Sequence, residues 1–272
     1  MILNKNHQFF LYLFCIISLI FSFILEENSS GGSKLDNEIT RQFIDGFLIN
    51  YNYGFKYFIN SGQVQSPIFY IIIAFIEKNL GDVFYKYIYI LVSSIIPLIF
   101  YISLKKNFKN SNKNILFLLS LIIFLSPYFR SSAVWTTTDN FAILFFILSI
   151  NKYLSLNKKN NNKNLLLCIF YISAAVYIRQ YYFIFFIFYF FKFIKILNLK
   201  KIFKLCILLV IIFAPFLGYY YYFFKINIIH LNTSNNPFSL NLINNLLIFL
   251  SLYFFYTIPF YFSSFNEIKK IF

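Results

Sequence analysis

Charge is scarce in this sequence: 12% of its 272 residues are Asp, Glu, Lys or Arg, about half the ~25% usual in globular proteins. With 60% hydrophobic residues, 24% aromatic residues and a mean hydropathy of +0.68, a soluble core is excluded. Acids are scarcest, nine against 24 lysines and arginines, for a net charge of +15. In a soluble protein that imbalance would point to nucleic acid. In a chain this apolar it reflects lysine gathered on cytoplasmic loops, and no nucleic-acid partner is expected. Cysteine is limited to Cys15, Cys168 and Cys206, each within an apolar run. They read as apolar fillers, with no ligand spacing and no statement about redox compartment. No metal and no cofactor are expected.

What the sequence has in abundance is long apolar runs, the mark of membrane spans. The first, from about Phe9 to Leu25, follows Lys5 and has no small-residue cleavage site after it, so it reads as an uncleaved helix. Further runs lie at roughly 84–104, 114–129, 139–151, 164–178, 180–195, 203–224 and 241–263. The fold class is therefore all-α: one transmembrane domain over 1–272, a polytopic bundle of about eight spans. The run 67–76 is too short to cross and is expected to be a half-inserted or surface helix.

Lysine clusters at 105–113, 152–163, 192–204 and 269–270 mark the cytoplasmic side. That topology sends sixteen lysines and Glu267 inward. The other eight acids, and all three arginines (Arg41, Arg130 and Arg179), fall on the outer side or at its helix ends. Insertion accounts for the lysines. A forked guanidinium is the better phosphate ligand, so the chemistry is expected on the outer face of a multi-pass membrane protein.

Four polar clusters stand on that face. In the outer loop 26–66, Asp36 and Glu38 are two carboxylates two residues apart, suited to a general base and a group that orients it; the plainer alternative is a solvated acidic loop. Residues 38–49, with Ile39, Phe43, Ile44 and Phe47 on one side, fit an interfacial helix. Gln65-Ser66-Pro67 opens the short apolar run, where proline suits a first helical turn whose donors can meet an anion. Ser126 to Arg130 and then Trp135 to Asn140 place Arg130 and Asp139 at membrane depth or its edge, where ionisable groups are costly. A mutual Arg130–Asp139 salt bridge is the structural alternative. Lastly, Arg179-Gln180 sits between two short spans, either as a ligand pair or snorkelling to lipid phosphate.

In this order the clusters resemble the GT-C superfamily of membrane glycosyltransferases, above all the family that uses dolichyl-phosphate glucose for the last α-1,2-glucose of lipid-linked oligosaccharide. Leu35-Asp-Asn-Glu-Ile39 stands where that family has its acidic motif, with Asn37 between carboxylates that are adjacent there. Ser66 to Tyr70 is similar to its proline-containing helix start. Ser126-Pro-Tyr and Thr138-Asp-Asn140 occupy its next outer hairpin, Ile178-Arg-Gln180 resembles its arginine–glutamine element, and the aromatic stretch around Pro259 has a similar place. The chain is shorter than a usual member.

The resemblance implies metal-independent transfer of a hexose, glucose above all, from a polyprenyl- or dolichyl-phosphate sugar to a lipid-linked or glycan acceptor. The setting is the periplasmic face of a bacterial inner membrane or the luminal face of the endoplasmic reticulum. It implies Asp36 or Glu38 as the base, Arg179 and Arg130 on the donor phosphate, Asp139 and Gln180 orienting them or the sugar hydroxyls, and Gln65 at the donor. The competing readings are a lipid-linked-sugar transporter, a non-catalytic membrane subunit and a shortened inactive transferase. Pro97 and Pro215 interrupt spans with no charge beside them, which weighs against the mid-membrane site of a transporter.

Overall fold

A computed structural model describes residues 5–28, 33–61, 66–156 and 162–196, with short pieces between 202 and 221 and the single residue 250. The chain divides into two units, Met1–Lys225 and Ile226–Phe272. The second contributes only Leu250, in helical conformation. The expected span 241–263, the stretch around Pro259 and the candidate Gln65 all lie outside the described residues.

Among the described residues of the first unit all regular structure is helical. Ten α-helices follow in order: α1 Lys5–Ile24, α2 Ser33–Ile49, α3 Tyr51–Asn60, α4 Ile68–Leu80, α5 Asp82–Asn107, α6 Lys113–Leu121, α7 Pro127–Trp135, α8 Thr138–Leu156, α9 Asn162–Ile178 and α10 Phe183–Ile196. Single 3₁₀ turns, Ile122–Leu125 and Gln180–Tyr182, lie before α7 and α10. The segment Leu205–Pro215 is also helical.

Among the described residues three helices are long and apolar enough to cross a membrane: Lys5–Ile24, Phe84–Asn107 and Thr138–Leu156. A fourth is added if Lys113–Leu125 and Pro127–Trp135 count as one span bent by 60°. The chain is thus a helical protein with the attributes of a membrane protein, carrying three or four spans by length among its described residues where about eight were expected from hydropathy over the whole sequence. The shortfall has a local cause at the bend. Ser126 Oγ accepts from the Phe129 amide and Pro127 takes the first helical position, so a new helix starts inside the apolar run. The apolar helices α9, α10 and Leu205–Pro215 are too short to span on their own.

The acidic stretch is where sequence and structure part most clearly. Its helix begins at Ser33, five residues before the expected start, so Asp36 and Glu38 are helical rather than on a loop. Asp36 sits in the first turn, where a carboxylate meets the positive helix end. Thr40, Phe43, Ile44 and Phe47 form the buried stripe of α2, while Ile39 is exposed. Phe43 stacks edge-on with Phe58 of α3 and Tyr70 of α4, fixing the three short helices as one block. The α2–α3 turn is tight enough that a Cβ on Gly54 would come within 2.4 Å of the Phe47 ring and 2.9 Å of its Cα. α4 matches the expected short helix: it has 13 residues and buries Phe69, Tyr70, Ile73 and Ala74.

Side-chain bonds sort the helix ends. Gln8 donates to Asn114 (2.8 Å), joining the starts of α1 and α6. Lys106 donates to Asn151 Oδ1 (2.6 Å) and Ser155 (2.8 Å), joining the ends of α5 and α8. The lysine-bearing ends of these four helices therefore gather together. The acids and arginines gather at the other end, where α1 stops and α7 and α8 meet.

Candidate functional site

The α7–α8 junction organises the acidic end. α7 stops at Thr136, whose backbone is left-handed (φ 50, ψ 40), an unusual conformation for a β-branched residue. The turn is held on every side. Thr136 donates to Asn37 Oδ1 of α2 (3.5 Å), Tyr89 of α5 donates to the Thr137 carbonyl, and Thr137 donates to Ser132 (2.8 Å). Ser132 also accepts from the Asn140 amide (3.3 Å), capping α8 from α7. Asn140, fully buried, donates to Ser93 and to the Phe129 carbonyl, both at 3.0 Å. The outcome is a rigid shelf from which Thr137, Thr138 and Asp139 project.

Against that shelf lies a polar cavity of about 110 Å³, bordered by Asp36 and Thr40 of α2, Tyr70 of α4, Thr137, Thr138 and Arg179. A single water needs only ~10–15 Å³, so the space admits a polar group of several heavy atoms. Asp36 and Thr40 reach it together because four residues is one helical turn. Asp139 stands behind the lining: its carboxylate accepts from Arg179 Nη2 at 2.8 Å and from the Tyr181 hydroxyl at 3.2 Å. Burial opposes the Arg179 charge, and the Asp139 carboxylate more than offsets that, holding its pKa above the ordinary value. Burial first, then Asp139, push the Tyr181 phenol up, so it remains a proton donor to the carboxylate. Burial pushes Tyr70 up to about 12.

Two groups on the lining are unfinished. Thr138, 3% exposed, leaves Oγ1 without a hydrogen-bond partner, and Arg179 leaves Nε without one. Buried polar atoms are nearly always paired; two of the four orphaned atoms among the described residues belong to residues that border this cavity. Asp36 is exposed and forms no ion pair among the described residues.

The sequence candidates separate accordingly. Asp36, Arg179 and, through Arg179, Asp139 come together. Glu38 does not: two residues on a helix are about 200° apart, and Glu38 is exposed away from the cavity that Asp36 borders. Gln180 opens the 3₁₀ turn after Arg179 and is not on the lining. Arg130 is occupied elsewhere. Its Nε donates to both Glu27 oxygens (3.1 Å), Nη2 to Glu27 (2.7 Å) and to Ser22, and Nη1 to Ser18 (3.1 Å). The alternative of a mutual Arg130–Asp139 bridge is not what forms: there are two separate pairs, Arg130–Glu27 and Arg179–Asp139.

Arg41 is likewise spent, bidentate on the buried Glu77 (2.8 and 2.6 Å) and bonded through Nε to Asp45 (2.8 Å). Of the three arginines, Arg179 is the one with an N–H left over at a cavity. Sequence reasoning missed Thr40 and Tyr70. Thr40 was signalled by its position one turn after Asp36; Tyr70 closed the Ser66–Tyr70 motif but was not singled out within it.

The chain matches no protein-family model, no curated protein and no solved structure.

Proposed function

We propose that the protein is a membrane glycosyltransferase of GT-C type, which moves a hexose from a polyprenyl-phosphate sugar to a hydroxyl acceptor on the non-cytoplasmic side. The observation that carries the reading is the meeting of Asp36 with Arg179 and Thr138 on one polar cavity, at the end of an apolar helical bundle opposite Lys106 and its partners. The cavity joins an uncommitted carboxylate to donors that have no partner in the protein, as acid–base chemistry on a bound polar substrate requires.

In this mechanism the acceptor oxygen attacks the anomeric carbon while its proton passes to Asp36. The bond from that carbon to the phosphate oxygen breaks, and the lipid phosphate leaves with the electron pair. Asp139 holds Arg179 in place on the cavity border through its 2.8 Å bond. Glu38 faces elsewhere, which leaves Asp36 as the base.

The test is transfer of labelled glucose from synthetic polyprenyl-phosphate glucose to lipid-linked acceptors in vesicles holding the purified chain. Transfer that disappears in Asp36→Asn supports the reading, and parent protein that neither binds the donor nor transfers sinks it.

One observation favours a second reading. The 60° break between α6 and α7 resembles the broken helices on which transporters build their sites. A lipid-linked-sugar transporter would carry the labelled lipid across the vesicle membrane unchanged, and the same assay separates the two outcomes.

A further inference from the structure

We propose that the cavity receives a neutral polyhydroxy group, the hexose ring of the lipid-linked sugar, and that the lipid phosphate stays outside it. The inference rests on the transferase reading and reverses one expectation within it, that Arg179 is a phosphate ligand.

Charge decides between the two occupants. The Arg179 cation is already matched by Asp139 at 2.8 Å, and Asp36 borders the same cavity with no counter-ion among the described residues. Neither of the other arginines adds positive charge there, because Arg41 is held by Glu77 and Asp45, and Arg130 by Glu27. Lys34 lies over the Trp135 ring and 3.9 Å from Glu26. The positive end of α8 is met by Asp139 in its first turn. The lining therefore carries one uncompensated negative charge. A phosphate placed there would face Asp36 across a small, partly buried space, where like charges repel more strongly than in water.

A sugar ring meets the opposite conditions. Each hydroxyl donates one proton and accepts others, and the lining offers both kinds of partner. Asp36 accepts, Arg179 Nε donates, and Thr138 Oγ1 does either; the last two are the orphaned atoms. Thr40 and Tyr70 add two further hydroxyls to the border. A buried donor or acceptor left unmet costs free energy that a ligand hydroxyl would recover.

The two occupants make opposite predictions for a pair of lipids that differ only in the sugar. Binding of polyprenyl-phosphate glucose and of polyprenyl phosphate to the full chain in lipid nanodiscs can be followed by fluorescence of Trp135, the one tryptophan of the sequence and the residue before the Thr136–Thr138 shelf. Thr138→Val removes a hydroxyl and keeps the shape. We expect it to weaken the glucosylated lipid by roughly five- to ten-fold, as for one lost hydrogen bond, and to leave polyprenyl phosphate within two-fold of the parent. Thr138→Ser restores the hydroxyl and should restore binding, which separates a lost contact from a damaged shelf. Equal weakening of both lipids, or of neither, overturns the sugar assignment while leaving the transferase reading intact. Parent protein that binds neither lipid overturns both.

Discussion

The two ends of the helical bundle are both polar, and they are polar in different ways. At the lysine end, Lys106 meets amide and hydroxyl groups: Asn151 Oδ1, its carbonyl, and Ser155, with Asn151 in turn donating to Ser103. At the other end each arginine is locked to a carboxylate, Arg41 to Glu77, Arg130 to Glu27 and Arg179 to Asp139. Lysine on a flexible stem satisfies an insertion rule and needs no fixed partner. A guanidinium held in a fork by an acid is a positioned group. What singles out Arg179 is the Nε left unpaired beside a cavity, a feature the lysine end does not repeat among the described side chains. Position in the bundle sorts charge, and only pairing shows which charge is poised for a ligand.

The comparison can be broken outright by topology. In a chain whose three cysteines are replaced by alanine, single cysteines at Glu38 and at Asn112, both exposed, should divide all-or-none: an impermeant thiol reagent added outside labels the first and not the second. Outside labelling of the second inverts the bundle and removes the proposed active face.

Next in size is Asp36→Asn. Loss of a positioned base should lower transfer by about 10²–10⁴-fold with folding retained, whereas Glu38→Gln should leave the rate near that of the parent. Equal rates in the two variants would show that facing the cavity does not matter.

Arg130→Met then tests whether the Arg130–Glu27 pair is architecture. The pair is partly buried, so its loss should fall between the ~0–1 kcal/mol of exposed pairs and the ~3–5 kcal/mol of buried ones. Thermal unfolding in detergent should show the drop, and adding Glu27→Leu should recover part of it by removing the stranded acid. A fully stable Arg130→Met protein that no longer binds donor lipid would return Arg130 to the ligand site. Smallest is Lys106→Met, expected to cost about 1 kcal/mol, the worth of a hydrogen bond or two, and to leave transfer rate unchanged.

How much of this was legible beforehand depended on how local each feature is. Helicity, the basic and acidic ends, and the short α4 followed from composition and run length. The bend at Ser126-Pro127 was present in the letters as a helix-start signal, yet it lay inside a hydropathy run that reads as one span. Asp36 and Glu38 looked like a pair on a loop; once α2 starts at Ser33, the helical period alone separates them. The partners of the arginines were not legible, because Glu27 and Arg130, or Asp139 and Arg179, meet across separations of 103 and 40 residues that no local pattern constrains. For that reason Glu27 reads in sequence as no more than a helix-end acid, and in the structure as the principal partner of Arg130.

The Gly54–Phe47 contact has a bearing on the order in which the protein is made. It closes between neighbours in the chain, so the α2–α3 hairpin can form as soon as residue 60 has emerged, and short-range contacts form fast. The cavity that this hairpin supports stays open-sided until Arg179 arrives, after α8 and α9 have been synthesised. A nascent chain halted before that point would already display Asp36 on a finished hairpin, with no guanidinium opposite it. Chain order thus makes Arg179 the last residue of the cavity border to be synthesised, after Asp36, Thr40, Tyr70 and Thr138 are already in place in the chain.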